Sequence, residues 1–112
     1  MILLVISGFI IQNATSQPVI GLDNWYNHET NAKTGKLFHY LWTDTEFSGY
    51  ASWGEIFSTK GAKLTTVGKP DPEVLRKINV YILVDPDTTT ETPNPNYFNP
   101  EDIKVIQTWV KK

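Results

Sequence analysis

Apolar residues run along this chain in short unbroken blocks, and the blocks alternate with segments whose apolar positions fall at helical spacing. Pro18–Leu22 is continuous, as in a strand covered on both faces. A long polar stretch follows, DNWYNHETNAKTGKLFHYLWTDTEF, with Lys33-Thr34-Gly35-Lys36 as its evident turn. From Ser48 to Lys60 the residues Tyr50, Trp53, Ile56 and Phe57 recur every three to four positions, which predicts a helix with Gly61 just past its end. Ala62–Gly68 reads as a second short strand. Asp71 followed by Pro72 is a helix start signal, a side-chain cap with proline in the first turn. Val80–Val84 is the clearest strand in the chain, closed by Asp85-Pro86. After the proline-rich loop DTTTETPNPNYFNP, Asn99 and Pro100 open a last helix. Glu101 and Asp102 suit the positive end of its dipole, and Ile103, Ile106 and Val110 are its predicted inward stripe.

Strands alternating with helices predict a parallel sheet with right-handed crossovers, in a doubly wound α/β domain. Three strands make a small sheet, and a further strand is expected after Lys112, so the chain reads as the N-terminal part of a truncated domain. No internal repeat occurs.

The first sixteen residues stand apart from this pattern. MILLVISGFIIQNATS carries an apolar core from Ile2 to Ile11, and Ala14 and Ser16 are spaced as an A-x-S cleavage site. The run is too short to cross a bilayer, and no Lys or Arg precedes it. A signal peptide over residues 1–16 is expected, with the folded domain over 17–112, an exported (periplasmic or extracellular) location and no membrane span after cleavage. A buried first strand is the competing reading of the same residues.

Composition narrows the class. The 112 residues suffice for one small domain; 40% are hydrophobic and 20% charged, as in ordinary globular proteins. A net charge of −2 with scattered basic residues gives no footprint for nucleic acid. The absence of cysteine removes disulfides, thiolate metal sites and a cysteine nucleophile from these residues.

In open α/β sheets, ligands sit beyond the carboxyl ends of the strands. Two loops leave such ends, and neighbouring strands would bring them together. The candidate ligand-binding residues are therefore Asp23, Asn24, Trp25, Tyr26, Asn27, His28, Glu29, Asp85, Asp87, Asn94, Asn96 and Tyr97, with Thr88 beside them. Acids and amides bond hydroxyls and rings stack on apolar sugar faces, so the set suits an oligosaccharide. The competing reading is that these groups cap turns and pack loops. Asp23, Glu29, Asp85, Asp87 and Glu91 also offer carboxylate pairs of the kind a glycosidase uses. DPDTTTE does not match an EF-hand, since its sixth and twelfth positions are Thr90 and Asn96. His28 and His39 are not paired at zinc spacing, and no metal site or other cofactor is expected. Neither a glycine-rich phosphate loop nor a G-x-S-x-G elbow is present.

The segments GLDNWYNHE, FHYLWTD, VDPDTTTETPNPNY and IKVIQTWVKK resemble a known family across nearly all of residues 17–112. It is the glutamine-amidotransferase-like α/β domain of secreted Bacteroidetes proteins associated with unsaturated rhamnogalacturonyl hydrolases, glycoside hydrolase families 88 and 105. The resemblance implies a three-layer, flavodoxin-like fold of class I amidotransferase type and a setting in pectin breakdown, with an oligosaccharide or a hydrolase domain as partner. Amidotransferase chemistry is not implied, because that needs a cysteine nucleophile. No catalytic residue is carried over by the resemblance.

Overall fold

The computed structural model of the protein describes residues 16–112. The signal segment expected over residues 1–16 falls, except for Ser16, outside the described residues. Six elements follow in the order β1 (Val19–Asp23), α1 (Ala51–Thr59), β2 (Lys63–Val67), α2 (Pro72–Leu75), β3 (Val80–Ile82) and α3 (Pro100–Val110). The sheet order is β2-β1-β3, and β1 pairs in parallel with both neighbours.

Side-chain caps mark where α2 and α3 begin, whereas α1 starts after Tyr50 with no side-chain cap, three residues later than the Ser48 start expected from its spacing. The Asp71 carboxylate accepts from Val74 N–H at 2.9 Å and the Asn99 side chain from Asp102 N–H at 2.8 Å, each followed by proline in the first turn. Helix α1 ends at Thr59, and Gly61 two residues on has a φ of +86° that suits a residue without a Cβ.

Strand alternation divides the sheet into two faces. Val19, Gly21, Thr65, Val67 and Tyr81 share one face by register. There Val67, Leu75 and Ile78 form the core cluster, against which Val74, Val105, Ile106 and Trp109 pack. Ile20 and Leu22 point to the opposite face beside Leu64, which lies close beneath Gly54 of α1. Helices thus cover both faces, α1 on one and α2 with α3 on the other.

Three sequence expectations change. Helix α3 turns Asp102, Val105, Ile106 and Trp109 inward, whereas Ile103 is 42% and Val110 69% exposed. The inward set has ideal i, i+3, i+4, i+7 spacing but opens on an acid, held inside by a hydrogen bond from Tyr26. In α1 only Gly54 is buried, and Trp53 and Ile56 are exposed. The missing side chain lets Leu64 and the Trp42 ring approach to 2.8 and 2.9 Å of where a Cβ would stand. Strand β3 is one of the two edges of the sheet and stops at Ile82, short of Val84. Its partner β1 ends at Asp23, and Asp85 turns the chain with a φ of +39°.

Candidate functional site

The loops leaving β1 and β3 meet, because the strands are neighbours. Asp23, last in β1 and 2% exposed, organises the first loop. Its Oδ2 accepts from Tyr26 N–H at 2.9 Å and Asn27 N–H at 3.0 Å. Its Oδ1 accepts from Tyr81 O–H at 2.8 Å and Trp25 N–H at 3.3 Å. Burial raises the Asp23 pKa above its ordinary value, against the lowering effect of these four bonds. Tyr81 is pushed up as well, by burial first and then by the Asp23 charge, so its hydroxyl remains a donor.

Tyr26 is fully buried, stacked on Phe98 with ring centroids 3.8 Å apart, and donates to Asp102 Oδ2 at 2.9 Å. Burial and then the Asp102 bond raise its pKa. Asn27 donates its amide to the Asp85 carbonyl at 2.8 Å. Asp87 is buried; its N–H donates to Tyr26 O at 2.7 Å and its Oδ2 accepts from His28 N–H at 2.8 Å. His28 Nε2 lies 3.2 Å from the Asn94 carbonyl, and Asn96 donates to Trp25 O at 2.9 Å. Asp87 Oδ1 and His28 Nδ1 are buried without a hydrogen-bond partner. Thr88 and Glu91 bond each other at the loop's exposed tip.

The candidate set therefore divides in two. Tyr26, Asn27, Asp87 and Asn96 bond one loop to the other, whereas Asp23 bonds its own turn and Tyr81 of β3; of these five candidates all but Asn96 are buried. Asn24 and Trp25 are half-buried at the turn, where Asn24 N–H extends the ladder to Val67 O at 2.8 Å. His28 and Glu29 are half-buried, whereas Asp85, Asn94 and Tyr97 are exposed.

Residues from the polar segment after β1 complete the open rim. The Tyr40 hydroxyl donates to Asp85 Oδ2 at 2.9 Å, and the Tyr50 ring packs 5.6 Å from the Tyr40 ring. The Asp85 bond raises the Tyr40 pKa; burial and then the Asp85 charge raise that of Tyr50. Both stay protonated donors at neutral pH. Trp42 packs behind Tyr50 at 6.4 Å and donates its Nε1–H to Thr65 O at 2.9 Å. His39 lies between Ser48 and Glu29, with Nε2 3.9 Å from Glu29 Oε2. Tyr40, Tyr50, His39, Ser48, Tyr81 and Asp102 were not singled out by sequence as site residues. For His39 and Tyr40 only the aromatic density of FHYLWTD is a hint; Tyr50, Tyr81 and Asp102 read simply as element residues, and nothing marks Ser48.

Among the described residues no group of three or more His, Cys, Asp or Glu is arranged to hold a metal ion. No helix among them is long and apolar enough to cross a membrane. Comparison with protein-family models, with curated proteins and with solved structures gives no match for this chain.

Proposed function

We propose that this chain is an accessory domain of an exported rhamnogalacturonan-degrading system, which binds an oligosaccharide or an adjoining hydrolase domain at the carboxyl edge of its sheet without cleaving glycosidic bonds. The observation that carries this reading is the open rim formed by Tyr40, Tyr50 and Asp85 above a floor of loops bonded to each other. Phenolic donors beside a carboxylate acceptor match sugar hydroxyls, and the neighbouring rings offer stacking faces. The strand order agrees with a flavodoxin-like assignment, since a 2-1-3-4-5 sheet begins with β2-β1-β3. Export and the pectin setting rest on the signal-like leader and the quoted family segments.

Titration with rhamnogalacturonan oligosaccharides, followed by tryptophan fluorescence, tests the binding. A saturable change is expected through Trp25 and Trp42, weakened in Tyr40→Phe by about 1 kcal/mol, or roughly fivefold in Kd. A silent titration at saturating sugar, with Trp25→Ala also without effect in pull-downs of the hydrolase, refutes the reading.

A glycoside hydrolase is the second reading. Of its five candidate carboxylates, Asp23 and Asp87 are buried in loop bonding and Glu91 is tied to Thr88, leaving Asp85 on the rim and Glu29 beside His39. Release of sugar product by the wild-type chain, lost in Asp85→Asn, would favour it.

A further inference from the structure

The loop that follows the Lys33–Lys36 turn holds an imidazole between a hydroxyl and a carboxylate. His39 Nδ1 is in hydrogen-bond contact with Ser48 Oγ, and its Nε2 lies 3.9 Å from Glu29 Oε2. A carboxylate beside Nε2 favours the tautomer that carries the proton there, which leaves the Nδ1 lone pair facing the Ser48 hydroxyl. The order is that of nucleophile, general base and orienting acid, with Glu29 at ion-pair rather than hydrogen-bond distance from the imidazole.

The backbone holds this arrangement against its own preference. His39 and Tyr40 are consecutive non-glycine residues with φ of +63° and +48°, in the left-handed region that L side chains disfavour. They are fixed by Tyr40 N–H to Ser48 O and Tyr50 N–H to Leu41 O, both 3.0 Å. Gly49 closes the same loop so tightly that a Cβ there would lie 2.0 Å from Asp44 O. The pair opens onto a cavity of about 490 Å³ whose walls include His39, Ser48 and the apolar Leu37, Phe38, Leu41 and Phe47. Phe47 is fully exposed, and Asp44 and Glu46 on the same wall disfavour an anionic substrate.

We propose that Ser48, His39 and Glu29 hydrolyse neutral carboxylic esters that carry a small apolar acyl group. Ser48 Oγ attacks the ester carbonyl as its proton passes to His39 Nδ1. The tetrahedral adduct collapses by breaking the C–O bond to the alcohol, which leaves with that proton, and Ser48 retains the acyl group. Water, deprotonated by His39, then releases the carboxylic acid and restores the hydroxyl. Ser48 and His39 are the catalytic residues; Glu29 acts through His39 as a positioning residue. The site shares no residue with the Tyr40–Tyr50–Asp85 rim, so sugar binding and ester hydrolysis can fail separately.

The full chain, incubated with a fluorophosphonate and mapped by mass spectrometry, should carry one adduct, at Ser48. Turnover of 4-nitrophenyl acetate and butyrate should fall on the order of 100-fold or more in Ser48→Ala and in His39→Gln. Glu29→Gln should lower kcat roughly tenfold with KM unchanged, a split that a merely structural role would not give. Because the chain has no cysteine, Ser48→Cys supplies a second readout on a silent background. Its thiol should react with iodoacetamide about tenfold faster than in the Ser48→Cys/His39→Gln double variant. An adduct elsewhere or none at all, wild-type turnover in Ser48→Ala, or equal alkylation rates overturns the proposal.

Discussion

Replacing Asp23 by Asn exchanges one carboxylate oxygen for an amide at the busiest acceptor in the site. The favourable orientation keeps an oxygen on Tyr26 N–H and Asn27 N–H and turns the NH₂ toward Tyr81 and Trp25. The Tyr81 hydroxyl can rotate to accept, so only the long 3.3 Å bond from Trp25 is lost outright. Two charge-assisted bonds become neutral ones, at about 1 kcal/mol each, and one half-buried N–H loses its partner at up to about another. Removing a buried charge offsets part of this, so the net cost at neutral pH is about 1–2 kcal/mol. Asp23→Ala orphans all four donors and should cost about 4 kcal/mol.

The pH dependence gives the sharper test. Because burial raises the Asp23 pKa in the folded state, the folded protein binds the proton more tightly than the unfolded chain does. This contribution to stability is fully present below the unfolded pKa of about 4 and is lost as pH rises through the folded value. The stability advantage of wild type over Asp23→Asn should therefore be largest in acid and shrink toward neutrality. Urea unfolding of both proteins at a series of pH values, followed by circular dichroism, measures the difference directly. An advantage that instead grows with pH would mean that the four hydrogen bonds outweigh burial, and the electrostatic account of the site would be wrong.

Two further substitutions test the packing. Tyr26→Phe removes the hydroxyl that satisfies the buried Asp102 carboxylate, and should cost about 2 kcal/mol in urea unfolding; a loss under 0.5 kcal/mol would mean that Asp102 finds other partners. Gly21→Ala places a Cβ 2.6 Å from Val67 Cγ2 and 2.9 Å from Ile78 Cδ1. Overpacking there should destabilise by about 1–3 kcal/mol, and a neutral result would show that this face of the sheet can spread.

Element order, the starts of α2 and α3 and the parallel sheet were legible because each rests on local chemistry; the start of α1, expected at Ser48 and found at Ala51, has no side-chain cap to mark it. Asp71-Pro72 and Asn99-Pro100 name their caps in adjacent residues, and β1 announces its double burial by an unbroken apolar run. The faces of α1 and α3 were not legible, since each is set by a partner far away in sequence. A glycine in α1 admits Trp42, and a buried acid in α3 answers Tyr26, 76 residues distant. The same reason hid half of the site. That loops from β1 and β3 would meet followed from the topology; which of their polar groups would be spent in mutual bonding did not. Tyr40 reaches Asp85 across 45 residues through two left-handed backbone positions, a geometry that no spacing rule forecasts.

The division of labour at the carboxyl edge follows from the cost of burying polar groups. Asp23, Tyr26, Asn27 and Asp87 lie inside because each is held by bonds from the opposite loop or from its own turn, and almost all of their bonding capacity is consumed there. Such a floor is unsuited to ligand chemistry, since a group that rearranged to meet a ligand would orphan a buried partner at about 1–3 kcal/mol. Its value lies in stiffness. With β1 and β3 tied through His28–Asp87, Asn27–Asp85 and Asn96–Trp25, the exposed carboxylate of Asp85 is presented from a fixed position. Tyr40 and Tyr50 can then be set against it without the entropy loss of ordering a free loop on binding. Polar groups so placed keep their geometry before any ligand arrives, which is the condition under which a few hydroxyls and one acid can discriminate.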